Sequence, residues 1–424
     1  MKKILIIGAG ITGLSTAYFL KKKSTILEIE KEPGGYCKTI KKDGFIWDYS
    51  GHYLHFKSSF VPKLMKVFFN RKELLKVKKK TKIFIKDKYI DYPYQQNFYK
   101  SSFRDLIVGS ISYIFRSRKL KSSNLKNQLL KNYGKFICEN FLFPYNEKLY
   151  RCNLKKLHPE SFGRYLPKIN FINIINSIIF KKSITSYNDS FIVPKKGIFE
   201  LIKKFLYRVK NKHKILYNAN IRKIDVNKKM IYFQNKSKIK YDVLVNTSPL
   251  PVFLKLINKK NIKEEYSTNT ILTFNLGFKE KKIPNFHWTY FPERKYIFHR
   301  VGCYSKIYKN KYTSLFVEVS TIGKKKINNQ MILDKILNQL EQIKIIQSKK
   351  NLISYSIIKM KPAYVHVRNK TESSINDLRT QLLKKNIFLV GRYALWKYSS
   401  IEDNILESRK ISNQINDIYY NTDI

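Results

Sequence analysis

An Ile/Leu-rich run at residues 4–7 breaks into Gly8-Ala9-Gly10-Ile11-Thr12-Gly13, and Glu28 stands twenty positions after Gly8. Few folds tolerate that arrangement. A strand at 4–7 ends in a turn that needs glycine at 8, Gly10 lets the backbone approach a pyrophosphate, and Gly13 lets the next helix pack on the strand. The phosphates then sit at the amino terminus of a helix over 11–22, where free N–H groups and the macrodipole favour anions. A second strand over 24–29 carries Glu28 to where a ribose diol is held. Residues 4–20 also form an apolar stretch between Lys2-Lys3 and Lys21–Lys23, the outline of a signal peptide or membrane anchor. Three spaced glycines, the short length and the lack of a small-residue cleavage site argue against it.

With 424 residues and 43% hydrophobic content, the chain can bury a large core and divide into two or more domains. Its 84 Lys+Arg against 30 Asp+Glu give a formal charge of +54, but the basic residues are spread along the whole chain and only 14 are arginine. The spread argues against nucleic acid as a partner. Two readings stay open: solvated lysines accumulated by compositional drift, or peripheral contact with an anionic membrane surface. Cys37, Cys138, Cys152 and Cys303 show no metal or disulfide spacing, so they read as small core residues in a reducing, cytoplasmic setting, with no metal site.

Periodicity divides the rest. Residues 78–92 alternate as a hairpin with one solvated face, 98–180 take helical spacing, and short strands return from 191 onward. YDVLVNT at 241–247 reads as a buried strand, 268–320 as strand-rich, 327–347 as a helix, and IFLVG at 387–391 as a strand ending in glycine before a terminal helix near 401–419. A late strand that ends in glycine returns to the dinucleotide, which makes the binding domain discontinuous.

LEIEKEPGGYCKT, with Gly34-Gly35 just past Glu28, resembles the glycine extension of amine oxidase-class flavoproteins, and this implies FAD. Further segments resemble the UDP-galactopyranose mutase family, in its eukaryotic-type branch. Gly51-His52 resembles the segment at the flavin ring, with Ser50 where the family has glycine. Gly391-Arg392 resembles the flavin-contacting turn. Arg164, Tyr290, Arg300 and Tyr398 resemble residues that hold the uridine diphosphate, and Tyr364 falls near a further substrate tyrosine. Lysine outnumbers arginine fivefold, so arginine at 164, 300 and 392 fits a demand for a planar fork that binds phosphate oxygens in pairs.

The resemblance implies an α/β fold: a discontinuous Rossmann-type FAD domain with a helical insertion and a β-sheet substrate domain. The expected segments are 1–85, 186–265 and 376–424 for the FAD domain, 86–185 for the insertion and 266–375 for the substrate domain. It also implies an isomerase that converts a UDP-hexopyranose to the furanose through a reduced-flavin N5 sugar adduct, for surface polysaccharide synthesis, with NADPH or NADH as reductant. Arg164, Arg300 and His52 would be its catalytic residues. Two rivals keep the same glycine motifs: an FAD oxidoreductase of the protoporphyrinogen oxidase, amine oxidase or desaturase type, and a flavin-containing protein that binds an anionic surface. Oligomeric state is left open.

Overall fold

A computed structural model describes residues 3–162, 189–259, 266–308, 310–322 and 328–420. Its centre is a five-stranded parallel sheet in the order Ile387–Leu389, Val243–Asn246, Ile4–Ile7, Ser24–Leu27, Lys214–Leu216. Ile4–Ile7 and Val243–Asn246 are buried at every position, as continuous apolar strands covered on both faces must be. Three separate stretches of chain feed this one sheet, so the dinucleotide domain is discontinuous as expected. Helices Ile11–Phe19, Phe199–Val209 and Ile401–Tyr420 pack together on one face through a shared apolar core.

A seven-stranded mixed sheet forms the second layer system, in the order Leu352–Met360, Thr270–Phe278, Thr313–Thr321, Arg300–Cys303, Trp288–Tyr290, Thr81–Ile85, Lys88–Asp91. The hairpin 81–91 therefore crosses the expected boundary at residue 85. Thr81–Ile85 pairs in parallel with Trp288–Tyr290, which attaches it to the sheet expected on the substrate side. Against Ile83, Ile85 and Ile90 of the seven-stranded sheet packs a helical layer that includes Phe103–Ile114, Leu125–Ile137 and Phe143–Tyr150. Its core residues Tyr94, Phe98, Tyr133, Phe141 and Tyr150 pack toward Tyr290 and Tyr364. The four cysteines are free, and three of them are buried. Burial pushes the Cys37 and Cys303 thiols up to about 12, so both are inert packing residues.

Candidate functional site

The glycine turn is shaped by three different demands. At Gly8, φ is +98° and an added Cβ would lie 2.7 Å from Thr247 Oγ1. At Gly13 it would lie 1.9 Å from the Gly8 carbonyl oxygen, so helix and strand close only on glycine. At Gly10 nothing stands nearer than Gly35 Cα at 3.9 Å. The protein itself leaves that space open, as a cradle for a ligand backbone requires. The helix Ile11–Phe19 starts there with no side-chain cap and no acidic residue in its first turn, so its first N–H groups stay available to an anion.

Gly34-Gly35 closes the cradle's other wall. Gly34 N–H donates to the Ala9 carbonyl at 2.9 Å, and Gly35 has φ +55° with its backbone against Gly10. Glu28 is buried, and its two carboxylate oxygens accept from Ala9 N–H at 2.7 Å and Glu30 N–H at 2.9 Å. It braces the turn, and each oxygen keeps a second lone pair for a diol. Gly391, at φ +92°, comes within 2.7 Å of the Thr12 side chain when given a Cβ, and Arg392 N–H and Thr12 Oγ1 both donate to Asn404 Oδ1 at 2.8 and 3.1 Å. The late strand does return to the first helix.

Beyond the turn, register builds a second cluster. Tyr290 pairs with Arg300 and Arg300 with Glu318 across three adjacent strands. Arg300 donates from Nε to Glu318 Oε2 at 2.6 Å and from Nη2 to Glu318 Oε1 at 2.7 Å, and Nη2 also reaches Ser50 Oγ at 3.3 Å. Ser50 Oγ donates in turn to Glu318 Oε1. Burial alone would raise the Glu318 carboxyl, but Arg300 and His299 hold it well below the usual carboxylate range. His299 Nε2 lies 3.3 Å from Glu318 Oε2 without the alignment of a hydrogen bond, and burial lowers its pKa. Ser50, where the resembled family has glycine, is thus tied into the Arg300–Glu318 pair.

Tyr290 Oη accepts from Trp288 Nε1 at 2.9 Å, and its ring packs against Tyr92 and Tyr145 at 5.5 and 5.2 Å. Tyr364 and Tyr398 stack at 5.8 Å with 11° between their planes. The Arg392 guanidinium lies 4.6 Å from the Tyr398 ring and 5.4 Å from that of Tyr364, and donates to the Ala363 carbonyl at 3.0 Å. The two halves meet electrostatically. Burial raises the Tyr145, Tyr290 and Tyr364 hydroxyls while the Arg300 charge pulls them back. His52 faces Glu318, Arg392 and Arg300; burial lowers it to about 4, so the ring is neutral at pH 7 and Nδ1 donates to the Ser50 carbonyl at 3.1 Å.

His52, Tyr290, Arg300, Tyr364, Arg392 and Tyr398 thus gather in one region. Arg164 lies outside the described residues. Sequence reasoning missed Glu318, although a lone carboxylate inside the apolar run LFVEV was a usable signal. It also missed Tyr145, which nothing local distinguishes from the chain's 29 other tyrosines.

Residues 6–70 match the model of an NAD(P)-binding Rossmann-like domain. A coproporphyrinogen III oxidase of Staphylococcus aureus (strain NCTC 8325 / PS 47) is 50% identical over 50 residues, which is 11% of each chain. The mitochondrial protoporphyrinogen oxidase of Nicotiana tabacum is 42% identical over 50 residues, 11% of this chain and 10% of that one. The chain thus matches about a tenth of the length of these curated relatives. A crystal structure of reduced UDP-galactopyranose mutase superposes with a TM-score of 0.90 over 99% of this chain and 94% of that one, at 19% identity. A provisionally named protoporphyrinogen oxidase from Exiguobacterium sp. 255-15 reaches 0.78 over 98% of both chains, at 15% identity. The chain therefore shares the mixed α/β fold of these solved structures.

Proposed function

We propose that the protein is an FAD-dependent enzyme of the UDP-galactopyranose mutase type, an isomerase that converts a UDP-hexopyranose to the furanose in the cytoplasm, for surface polysaccharide synthesis. The observation that carries this reading is the Tyr290-Arg300-Glu318 row facing the Tyr364-Tyr398-Arg392 stack. Two arginines among tyrosine hydroxyls suit a diphosphate, whose oxygens take charge-assisted hydrogen bonds from planar guanidinium groups.

The residues present fit the cofactor: Gly10 leaves its cradle open, Gly34-Gly35 walls it, the uncapped helix Ile11–Phe19 takes the pyrophosphate and Glu28 the ribose. When bound and reduced by NADPH or NADH, FAD supplies the nucleophile of the ring contraction. Arg300, aimed by Glu318, offers its remaining N–H groups to the departing diphosphate and helps keep it in place for the return step, together with Arg164. Tyr290, Tyr364 and Tyr398 give it hydroxyl donors, and neutral His52 fixes the loop beside Ser50.

The short matches to porphyrinogen oxidases favour an FAD oxidoreductase as the second reading. Those matches span 50 residues, a length consistent with the dinucleotide half that both reaction classes share. Incubation of the dithionite-reduced protein with UDP-galactopyranose or UDP-galactofuranose separates the two. Interconversion supports the mutase reading, and its absence with FAD intact overturns it. Arg300→Lys should then lower kcat/KM on the order of a hundredfold, because a point charge replaces the fork.

A further inference from the structure

Helix Phe103–Ile114 is built inside out. Its inward side carries Asp105, Gly109 and Tyr113. Asp105 is paired with Lys86 at 2.8 Å, and Gly109 sits so close to Phe98 that a Cβ would come within 2.3 Å of that ring. Its outward side carries Phe103, Ile107, Val108, Ile111 and Ile114, with Phe115 just beyond; Phe103 is 76% exposed and Phe115 80%. A helix on a water-facing surface directs such a stripe into the core, so six large apolar groups on one open face mark a surface that something covers.

Charge names the occupant. From 106 to 138 the chain holds seven Lys and Arg and no Asp or Glu. Arg104, Arg118, Lys119 and Lys121 are exposed along or just past the helix, and Arg116 stacks on the Tyr113 ring at 4.0 Å. A second copy of a chain with formal charge +54 is repelled from such a face. An anionic surface is attracted to it. Twelve residues span only about 18 Å at 1.5 Å per residue, short of the ~30 Å hydrocarbon core of a bilayer. No helix among the described residues is long and apolar enough to cross a membrane. This one has the form of a helix that lies in the interface plane.

We propose that Phe103–Ile114, with Phe115, is a membrane-docking face: its apolar side chains enter the boundary between headgroups and acyl chains of an anionic leaflet, and the cations at 104 and 116–121 meet the lipid phosphates. Tyr113, on the helix's inner side, belongs to the same packed core as Tyr290 and Tyr364, so docking holds the candidate site close to the leaflet. The proposal stands whichever reaction the site performs.

Co-sedimentation of the full chain with phosphatidylcholine vesicles, with and without phosphatidylglycerol, tests it. The wild-type protein should sediment with the phosphatidylglycerol vesicles and dissociate as salt rises. A triple variant, Phe103→Ser, Ile111→Ser and Phe115→Ser, should lose about tenfold or more in affinity at low salt, with melting temperature and flavin content unchanged. A second variant, Arg118→Gln, Lys119→Gln and Lys121→Gln, should bind with a flatter salt dependence. Phe103→Trp should shift its emission to the blue on these vesicles. Equal binding by the serine variant would mean adhesion through charge spread elsewhere, and an unmoved tryptophan emission would mean the face stays in water; either overturns the proposal. So does a wild-type dimer, seen by sedimentation velocity, that the serine variant converts to monomer without any vesicle binding.

Discussion

Arg300 keeps its place because one carboxylate holds two of its nitrogens, and this makes Glu318 the residue to remove. Breaking one partner of a buried pair strands the other and costs about 3 kcal/mol or more. Glu318→Gln should therefore lower the melting temperature by several degrees, and UDP should restore more of the loss in the variant than it adds to the wild-type protein, since a diphosphate supplies the missing countercharge. Equal shifts with UDP in both proteins would show that Arg300 does not face the nucleotide. Ser50→Gly tests the opposite point. It removes two hydrogen bonds, one donated to Glu318 and one accepted from Arg300, each worth about 1 kcal/mol, but neither Arg300–Glu318 bond passes through Ser50. Flavin content and turnover should survive, and loss of flavin would make Ser50 the anchor of its loop. Tyr290 and Arg300 stood out through the resemblance of their segment, and strand pairing does set them side by side. Glu318 stands out in its apolar run as a lone carboxylate, but nothing local says that its partner is Arg300, eighteen residues earlier on the neighbouring strand.

Elements were legible where one local rule decides them and opaque where pairing is distant. The strand, glycine turn and helix of residues 4–19 follow from sterics within a dozen residues. The hairpin 81–91 announces its alternation, but nothing in it says that its partner strand begins at Trp288. Helix Asn369–Leu383 escaped notice because its buried side is sparse, Thr371, Ile375, Leu378 and Leu382 among polar neighbours. The glycine turn itself yields a paired prediction. Gly10→Ala places a methyl where the protein has 3.9 Å of room, so the variant should fold and melt like the flavin-free wild-type protein but purify without FAD. Gly13→Ala drives a methyl to 1.9 Å from the Gly8 carbonyl, so it should lose several kcal/mol of stability whether or not cofactor is present. Absorbance at the flavin band and a melt of each variant separate the outcomes. A Gly10→Ala protein that retained flavin would mean the pyrophosphate does not pass over residue 10.

At the scale of the whole molecule, the surplus of cations sets the conditions under which the fold persists. Formal charge +54 repels itself in the compact state, so added salt should raise the melting temperature at neutral pH. Acid compounds the problem through histidine. Burial lowers His52, His55, His213 and His287 to about 4, and also lowers His299 and His366. Between that range and the ordinary value near 6.5, the unfolded chain binds protons that the folded chain refuses, so stability rises with pH across the window. Asp48 works against this trend, because burial raises it to about 6 and the folded state holds its proton longer. It is one group against six, and Glu318, held low by Arg300, adds to the histidines at the acid end. The net expectation is a melting temperature that climbs from pH 4.5 to 7 at constant ionic strength. A flat or falling profile would mean that these histidines reach solvent, and with them the loop that His52 is placed to hold beside the arginine clamp.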